Sequence, residues 1–151
     1  MDGYKLFRRD WQGKRGSGVE LYVRDRFSFV ELDDCDDKVE CLWVKMSGKA
    51  KKADILLGIC YRLSNQDEEV DEVFCKRLAE VSQSLALVLT GDFNLLDICW
   101  KYNTAERKQS RRFLKSVEDN FLTQLVSEPI RGGVSLDRLA KASLGLVTMK
   151  L

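Results

Sequence analysis

The feature that most constrains this chain is a short unbroken apolar run, Leu85-Ala86-Leu87-Val88-Leu89, closed by Thr90-Gly91 and followed at once by Asp92-Phe93-Asn94. Such a run ending in a turn signal reads as a strand buried on both faces, although a piece of buried helix carries the same signature. Side chains alternate along an extended chain. Asp92 and Asn94 should therefore leave the end of the sheet on one side, with Phe93 entering the core on the other. An acid and an amide at the mouth of a sheet make a place to hold water, a metal-bound oxygen or a phosphate. The same residues are also ordinary turn chemistry, because Asp and Asn hydrogen-bond their own backbone. On pattern alone, both readings stand.

Around this run the chain alternates between strand and helix signals. Residues 8–18, RRDWQGKRGSG, are polar, basic and glycine-rich, which predicts a loop or hairpin turn. Val19, Leu21 and Val23 then alternate with polar residues as in a half-buried strand, with Phe27 to Glu31 as a candidate neighbour. The acidic stretch Asp33 to Asp37 reads as a turn; its carboxylates lack the spacing of an EF-hand loop, so calcium is a weak expectation. Val39 to Met46 reads as a strand with Val39, Cys41 and Trp43 on one face. After the basic loop Ser47 to Lys52, residues 54–61 read as its antiparallel partner.

From Asp67 the period changes. Val70, Val73, Phe74, Leu78, Val81 and Leu85 fall at helical spacing, which predicts an amphipathic helix of about five turns. Asn65 with Glu68 resembles a capping box at its start. This helix feeds the apolar run, so the order is strand, helix, strand. A second helix is expected from Thr104, as N-cap, to about Glu118, with Phe113, Leu114 and Val117 on its buried side. Arg107, Lys108, Arg111, Arg112 and Lys115 share the opposite face. They are candidates for phosphate contacts, or else form a solvated basic face of the ordinary kind. Phe121 to Val126 is a last strand candidate. Arg138 to Leu151 shows no clear strand pattern.

Composition narrows the classes. With 44% hydrophobic and 32% charged residues in 151, the chain fits one domain large enough for a core. No apolar run approaches membrane-spanning length and the N-terminus carries no apolar signal segment, so no membrane partner is expected. The expected location is intracellular, nuclear or cytoplasmic. The chain has no histidine, and its five cysteines (Cys35, Cys41, Cys60, Cys75, Cys99) lack CxxC spacing; zinc is not expected, and the thiols read as reduced and mostly buried. A net charge of +1 says nothing of nucleic acid, but basic residues cluster at 5–15, 45–52 and 101–115, which can build one positive face.

Gly91-Asp92-Phe93-Asn94 after a hydrophobic strand resembles the GDFN signature of the endonuclease/exonuclease/phosphatase superfamily. The surrounding text, from Gly3-Tyr4 through Gln124-Leu125-Val126, is similar to the apurinic-type endonuclease domain of non-LTR (LINE-type) retrotransposons. Gly16-Ser17-Gly18-Val19 with Leu21-Tyr22-Val23 looks like the family's glycine-rich hairpin. Cys60-Tyr61-Arg62 with Asn65 looks like its tyrosine segment, although Leu63-Ser64 stands where proline is usual. The resemblance implies an α/β fold: a four-layer α/β-sandwich of two packed mixed β-sheets flanked by helices, incomplete here. It would comprise residues 1–137, followed by a divergent tail at 138–151.

The resemblance also implies magnesium-assisted phosphodiester hydrolysis of DNA, in an element that supplies a reverse transcriptase as partner. Asp92 would handle a proton, Asn94 would orient the phosphate or the attacking water, and the Tyr61 phenol would approach the scissile phosphate. Asp137 matches the aspartate that orients a catalytic histidine. Asp92 and Asn94 would be the magnesium ligands, and Arg107, Lys108, Arg111, Arg112 and Asn65 the nucleic-acid contacts. The departures carry equal weight. The family's first asparagine and metal-binding glutamate would fall before residue 1, and its Asp-His pair after residue 151. The expectation is a catalytically incompetent fragment. The alternatives are a non-catalytic nucleic-acid-binding remnant and a translated remnant without selected function.

Overall fold

The computed structural model describes residues 2–10, 18–32, 39–47, 54–83, 86–124 and 137–141. Its strands are β1 (Tyr4–Asp10), β2 (Gly18–Arg24), β3 (Ser28–Leu32), β4 (Cys41–Ser47), β5 (Ile55–Tyr61), β6 (Ala86–Asp92), β7 (Leu122–Gln124) and β8 (Asp137–Lys141). Its helices are α1 (Glu68–Ser82) and α2 (Lys108–Asp119). β1 and β2 form a two-stranded antiparallel sheet; the others form a six-stranded sheet in the order β3-β4-β5-β6-β8-β7. This second sheet is mixed, because β5 and β6 run parallel, joined through α1, while the other pairs are antiparallel.

Alternation along the central strands builds a core on each face of this sheet. Cys41, Trp43, Leu56, Cys60, Leu87 and Leu89 meet Phe74, Leu78 and Val81 of α1 and Phe113 and Val117 of α2. Leu42, Val44, Leu57 and Ile59, on the other face, meet Phe7 of β1 and Leu21 and Val23 of β2. The described residues thus make three layers: helices, large sheet, small sheet. No described helix covers the outer face of the small sheet, where Tyr4, Leu6 and Tyr22 stand exposed. Nor is any helix among the described residues long and apolar enough to cross a membrane.

Several expectations are met. Val39, Cys41 and Trp43 share one face, β4 and β5 pair antiparallel, and Phe93 is buried. Others are corrected. Residues Tyr4–Asp10 are a strand, so the first three residues of the predicted loop over 8–18 belong to it, and Gly18 belongs to β2; residues 11–17 lie outside the described set. β2 and β3 are not neighbours, since β2 pairs with β1 and β3 with β4. α1 spans 15 residues and its N-cap is Asp67, with no side-chain cap bond, so the Asn65–Glu68 box does not form. Leu85 lies outside the described residues, as do the acidic stretch 33–37 and most of the basic loop, 48–52. Where no strand pattern was legible after residue 137, Asp137–Lys141 pairs with both β6 and β7. Residues 142–151 lie outside the described set.

The reading of the cysteines is also corrected. Cys41 and Cys60 stand opposite each other in the β4–β5 register and are joined as a disulfide. Cys75 and Cys99 are free, and burial pushes the Cys75 thiol's pKa up.

Candidate functional site

The site lies at the C-terminal ends of the parallel strands. Tyr61 closes β5, Asp92 closes β6, and the two are register partners, so their side chains leave the same face of the sheet. Alternation along β5 makes that the face toward the small sheet, the side of Leu57 and Ile59. Tyr61 remains 38% exposed, which leaves its hydroxyl within reach of a ligand. β8 brings the Asp137 backbone opposite Gly91, one residue from Asp92, at this same end.

After Asp92 the chain is no longer extended, and this corrects the expectation that Asp92 and Asn94 project side by side. Asn94 takes a left-handed conformation, φ 49°. Its backbone N–H donates to Asp92 Oδ1 at 3.1 Å, and its Nδ2 donates to the Arg62 carbonyl at 2.7 Å. The Arg62 N–H in turn donates to the Asp92 carbonyl at 2.8 Å. The Asp92 carboxylate closes the turn, and the donor end of the Asn94 carboxamide ties it to the β5 end.

Magnesium takes oxygen ligands in near-octahedral geometry, with one or two carboxylates. No three His, Cys, Asp or Glu side chains come together among the described residues. Asp92 and Asn94 are engaged with each other and with Arg62. The described residues therefore do not fit a magnesium centre by themselves.

The second set of predicted residues lies on α2, which packs on the opposite face of the large sheet from the one that Tyr61 and Asp92 leave. The N-cap of α2 is Arg107, not Thr104, which instead bridges to Cys99. Arg107 has no side chain able to cap, and the cap comes from Asp97, ten residues upstream. The Asp97 carboxylate accepts from the Glu106 and Arg107 N–H groups (3.1 and 2.8 Å), from Arg107 Nε (3.1 Å) and from the Ser110 hydroxyl (2.5 Å). Burial alone would raise the Asp97 pKa. The hydrogen bonds from Ser110 and Arg107 outweigh it and hold the carboxyl well below the usual carboxylate range.

A depressed carboxylate stabilises the fold above its unfolded pKa of about 3.9 and loses that contribution as pH falls through the folded value. Asp97→Asn should therefore lower stability by about 1–2 kcal/mol at pH 7, the scale of a lost helix cap. The gap to the unsubstituted chain should narrow below pH 4. Urea melts at pH 7 and pH 3 check this, and a gap of constant size across that range would contradict it.

The predicted basic face of α2 exists but is largely occupied. Lys108 pairs with Glu68 at 3.4 Å and Arg112 with Glu72 at 2.5 Å, both across to α1. Arg107 pairs with Asp97 and Lys115 with Asp119. Arg111 is held only through the Glu106 carbonyl. The Glu72 carboxyl is pulled below its ordinary pKa, first by its hydrogen bond from Arg112. Exposed pairs of this kind are worth at most about 1 kcal/mol each, so phosphates can displace them. Asn65 sits exposed at the tip of the Leu63–Gln66 turn.

Two residues of this region are given no role by the sequence: Asp97, and Arg62, which enters only as part of the tyrosine segment and whose side chain is buried. Neither has a local signal, because their partners lie nine or more positions away.

Two sheets packed face to face with helices on the outside describe an α/β-sandwich. Among solved structures the chain matches the endonuclease domain of TRAS1, a telomere-specific non-LTR retrotransposon, with a TM-score of 0.66. The match covers 94% of this chain and 67% of that one at 14% sequence identity, so the likeness is one of fold. The resemblance read from Gly91 to Asn94 is met at that level. No family model and no curated protein matches the sequence.

Proposed function

We propose that this chain is a nucleic-acid-binding domain of the retrotransposon-endonuclease type, which holds duplex DNA without cutting it by itself. The observation that carries the reading is the Tyr61–Asp92 pair at the ends of parallel strands, in a fold shared with an endonuclease domain. In this reading the Tyr61 hydroxyl donates to a phosphate oxygen, and Arg111, Arg112 and Lys108 supply the positive field. By the resemblance, Asp92 and Asn94 would stand at the position of a hydrolytic site. Without histidine in the chain, and without a grouped set of metal ligands among the described residues, Asp92 has neither a partner base nor a magnesium cage. Magnesium and a reverse transcriptase belong to the proposal as what a complete element of this type supplies.

The test is fluorescence anisotropy with a labelled duplex in EDTA, from 50 to 200 mM salt, beside a nicking assay with supercoiled DNA and magnesium. Affinity should fall with salt, with a slope near −0.9 for each phosphate contact. Arg111→Glu with Arg112→Glu should abolish binding. Glu68→Gln with Glu72→Gln should strengthen it by releasing Lys108 and Arg112, and Asp92→Asn should strengthen it by removing a negative charge beside the phosphate. No nicking is expected. Binding indifferent to the arginine reversals would overturn the binding reading. Magnesium-dependent nicking lost in Asp92→Ala would overturn the incompetence.

A further inference from the structure

Arg62 is the one charged residue among the described positions whose side chain is buried, at 6% exposure. Burying a charge is unfavourable unless it is fully paired, and an apolar residue would fill the same space with less desolvation. The placement of Arg62 is therefore informative. Its Nε and Nη2 donate to the two oxygens of Asp71, each at 2.8 Å, a two-pronged pair reaching into the first turn of α1. Its Nη1 donates to the Leu63 carbonyl at 3.1 Å and lies 3.5 Å from the Phe93 carbonyl. The backbone of the same residue donates to the Asp92 carbonyl and accepts from Asn94 Nδ2.

One residue thus grips its own loop, α1 and both ends of the Asp92–Asn94 turn. The grip is buttressed. Gln66 Nε2 donates to Asp71 Oδ1 at 2.7 Å, and Gln109 of α2 donates to the Gln66 carbonyl at 3.3 Å. Asp71 is therefore held from the loop as well as by Arg62, and the loop is held from α2.

We propose that Arg62, clamped by Asp71 and Gln66, is the positioning residue of the Tyr61–Asp92–Asn94 site, setting the phenol of Tyr61 and the Asp92 turn in one fixed relation. The proposal rests on the nucleic-acid reading of that site. Tyr61 is the last residue of β5 and stands directly before Arg62. With Arg62 locked from three sides, the Tyr61 backbone is held in register with Asp92, which fixes the point from which the phenol extends. This chain has Leu63-Ser64 in the following positions, with no proline to stiffen the loop, so the guanidinium fork supplies the rigidity.

The test is a double-mutant cycle on DNA affinity, which isolates coupling from general loss of stability. Arg62→Ala would take the cation from the half-buried Asp71 carboxylate and risks unfolding, so Arg62→Lys is used, which keeps the charge and loses the fork. Asp71→Asn, which keeps the shape, repeats the cycle from the other side. Folding of each variant is checked by its thermal melt. Tyr61→Phe should weaken binding by about fivefold in the unsubstituted chain, the scale of one hydrogen bond. In the Arg62→Lys and Asp71→Asn backgrounds it should have no effect. Arg111→Ala, away from the clamp, should weaken binding by the same factor in every background.

A full Tyr61→Phe effect in both clamp variants would overturn the positioning role while leaving the site reading intact. A Tyr61→Phe substitution silent in the unsubstituted chain would instead overturn the site reading, and the clamp's role with it.

Discussion

Gly91→Ala should abolish cooperative folding. A Cβ built at residue 91 would lie 1.8 Å from the Cys60 carbonyl oxygen and 2.7 Å from its carbon, inside the parallel β5–β6 ladder. These are backbone atoms of a central strand, with no flexible side chain that could turn aside. The Gly91 φ of 153° adds backbone strain for any residue with a Cβ. Relief requires β5 and β6 to part, and every hydrogen bond between them lies between the two cores. A destabilisation beyond about 4 kcal/mol follows, in the class of large, mechanism-specific effects. Circular dichroism melts of the variant should show no cooperative transition. A melt within a few degrees of the unsubstituted chain would mean that Gly91 is a feature of the site and not of the sheet.

Phe93→Ala should cost about 3–5 kcal/mol, the range for a large aromatic removed from a packed core. Phe93 is 1% exposed, and its ring centroid lies 4.8 Å from Phe113 of α2 and 6.1 Å from Phe74 of α1. Phe74 and Phe113 also stack on each other at 6.2 Å. Phe93 is thus the contact through which the turn after β6 holds both helices. Its loss should lower the unfolding midpoint in urea and also loosen the Asp92–Asn94 turn. Phe93→Leu, which keeps most of the volume, should recover most of the loss. Equal destabilisation by Ala and Leu would argue that the ring geometry, and not the buried volume, is what matters.

These two outcomes explain why the four residues after the apolar run were legible and others were not. Gly91 is required by the neighbouring strand, Phe93 by the helix core, and Asp92 and Asn94 by the turn they close together. A motif in which every residue has a structural reason stands out in a single sequence. It also explains the error about direction. Alternation assumes that the strand continues, whereas the Asx-type turn at Asp92–Asn94 ends it.

β1 has no strand signature because only Phe7 of its residues is buried, and Arg8 to Asp10 fall in the polar stretch that reads as a loop. β8 was missed because its place between β6 and β7 is decided by long-range pairing, which no local pattern carries. The α2 cap and the Arg62 clamp were invisible for the same reason. Asp97 reaches ten residues to Arg107, and Arg62 reaches nine to Asp71. Helix α1 and the β4–β5 pair, by contrast, rest on periodicity that repeats along the chain.

The basic face of α2 shows how a correct pattern can carry an incomplete meaning. Lys108, Arg111, Arg112 and Lys115 do share one side of the helix, but α1 lies alongside with Glu68 and Glu72 facing Lys108 and Arg112. Sequence gives the charge of each helix separately, while the fold sets how much of that charge a phosphate meets.

The measurement that tests the account most directly is amide chemical-shift mapping of the isotopically labelled chain as a short DNA duplex is added in EDTA. The account predicts perturbations confined to residues 61–66, 92–97 and 106–112, at the ends of β5 and β6 and at the start of α2. Perturbations centred on the β1–β2 hairpin, or none at all at saturating duplex, would contradict it.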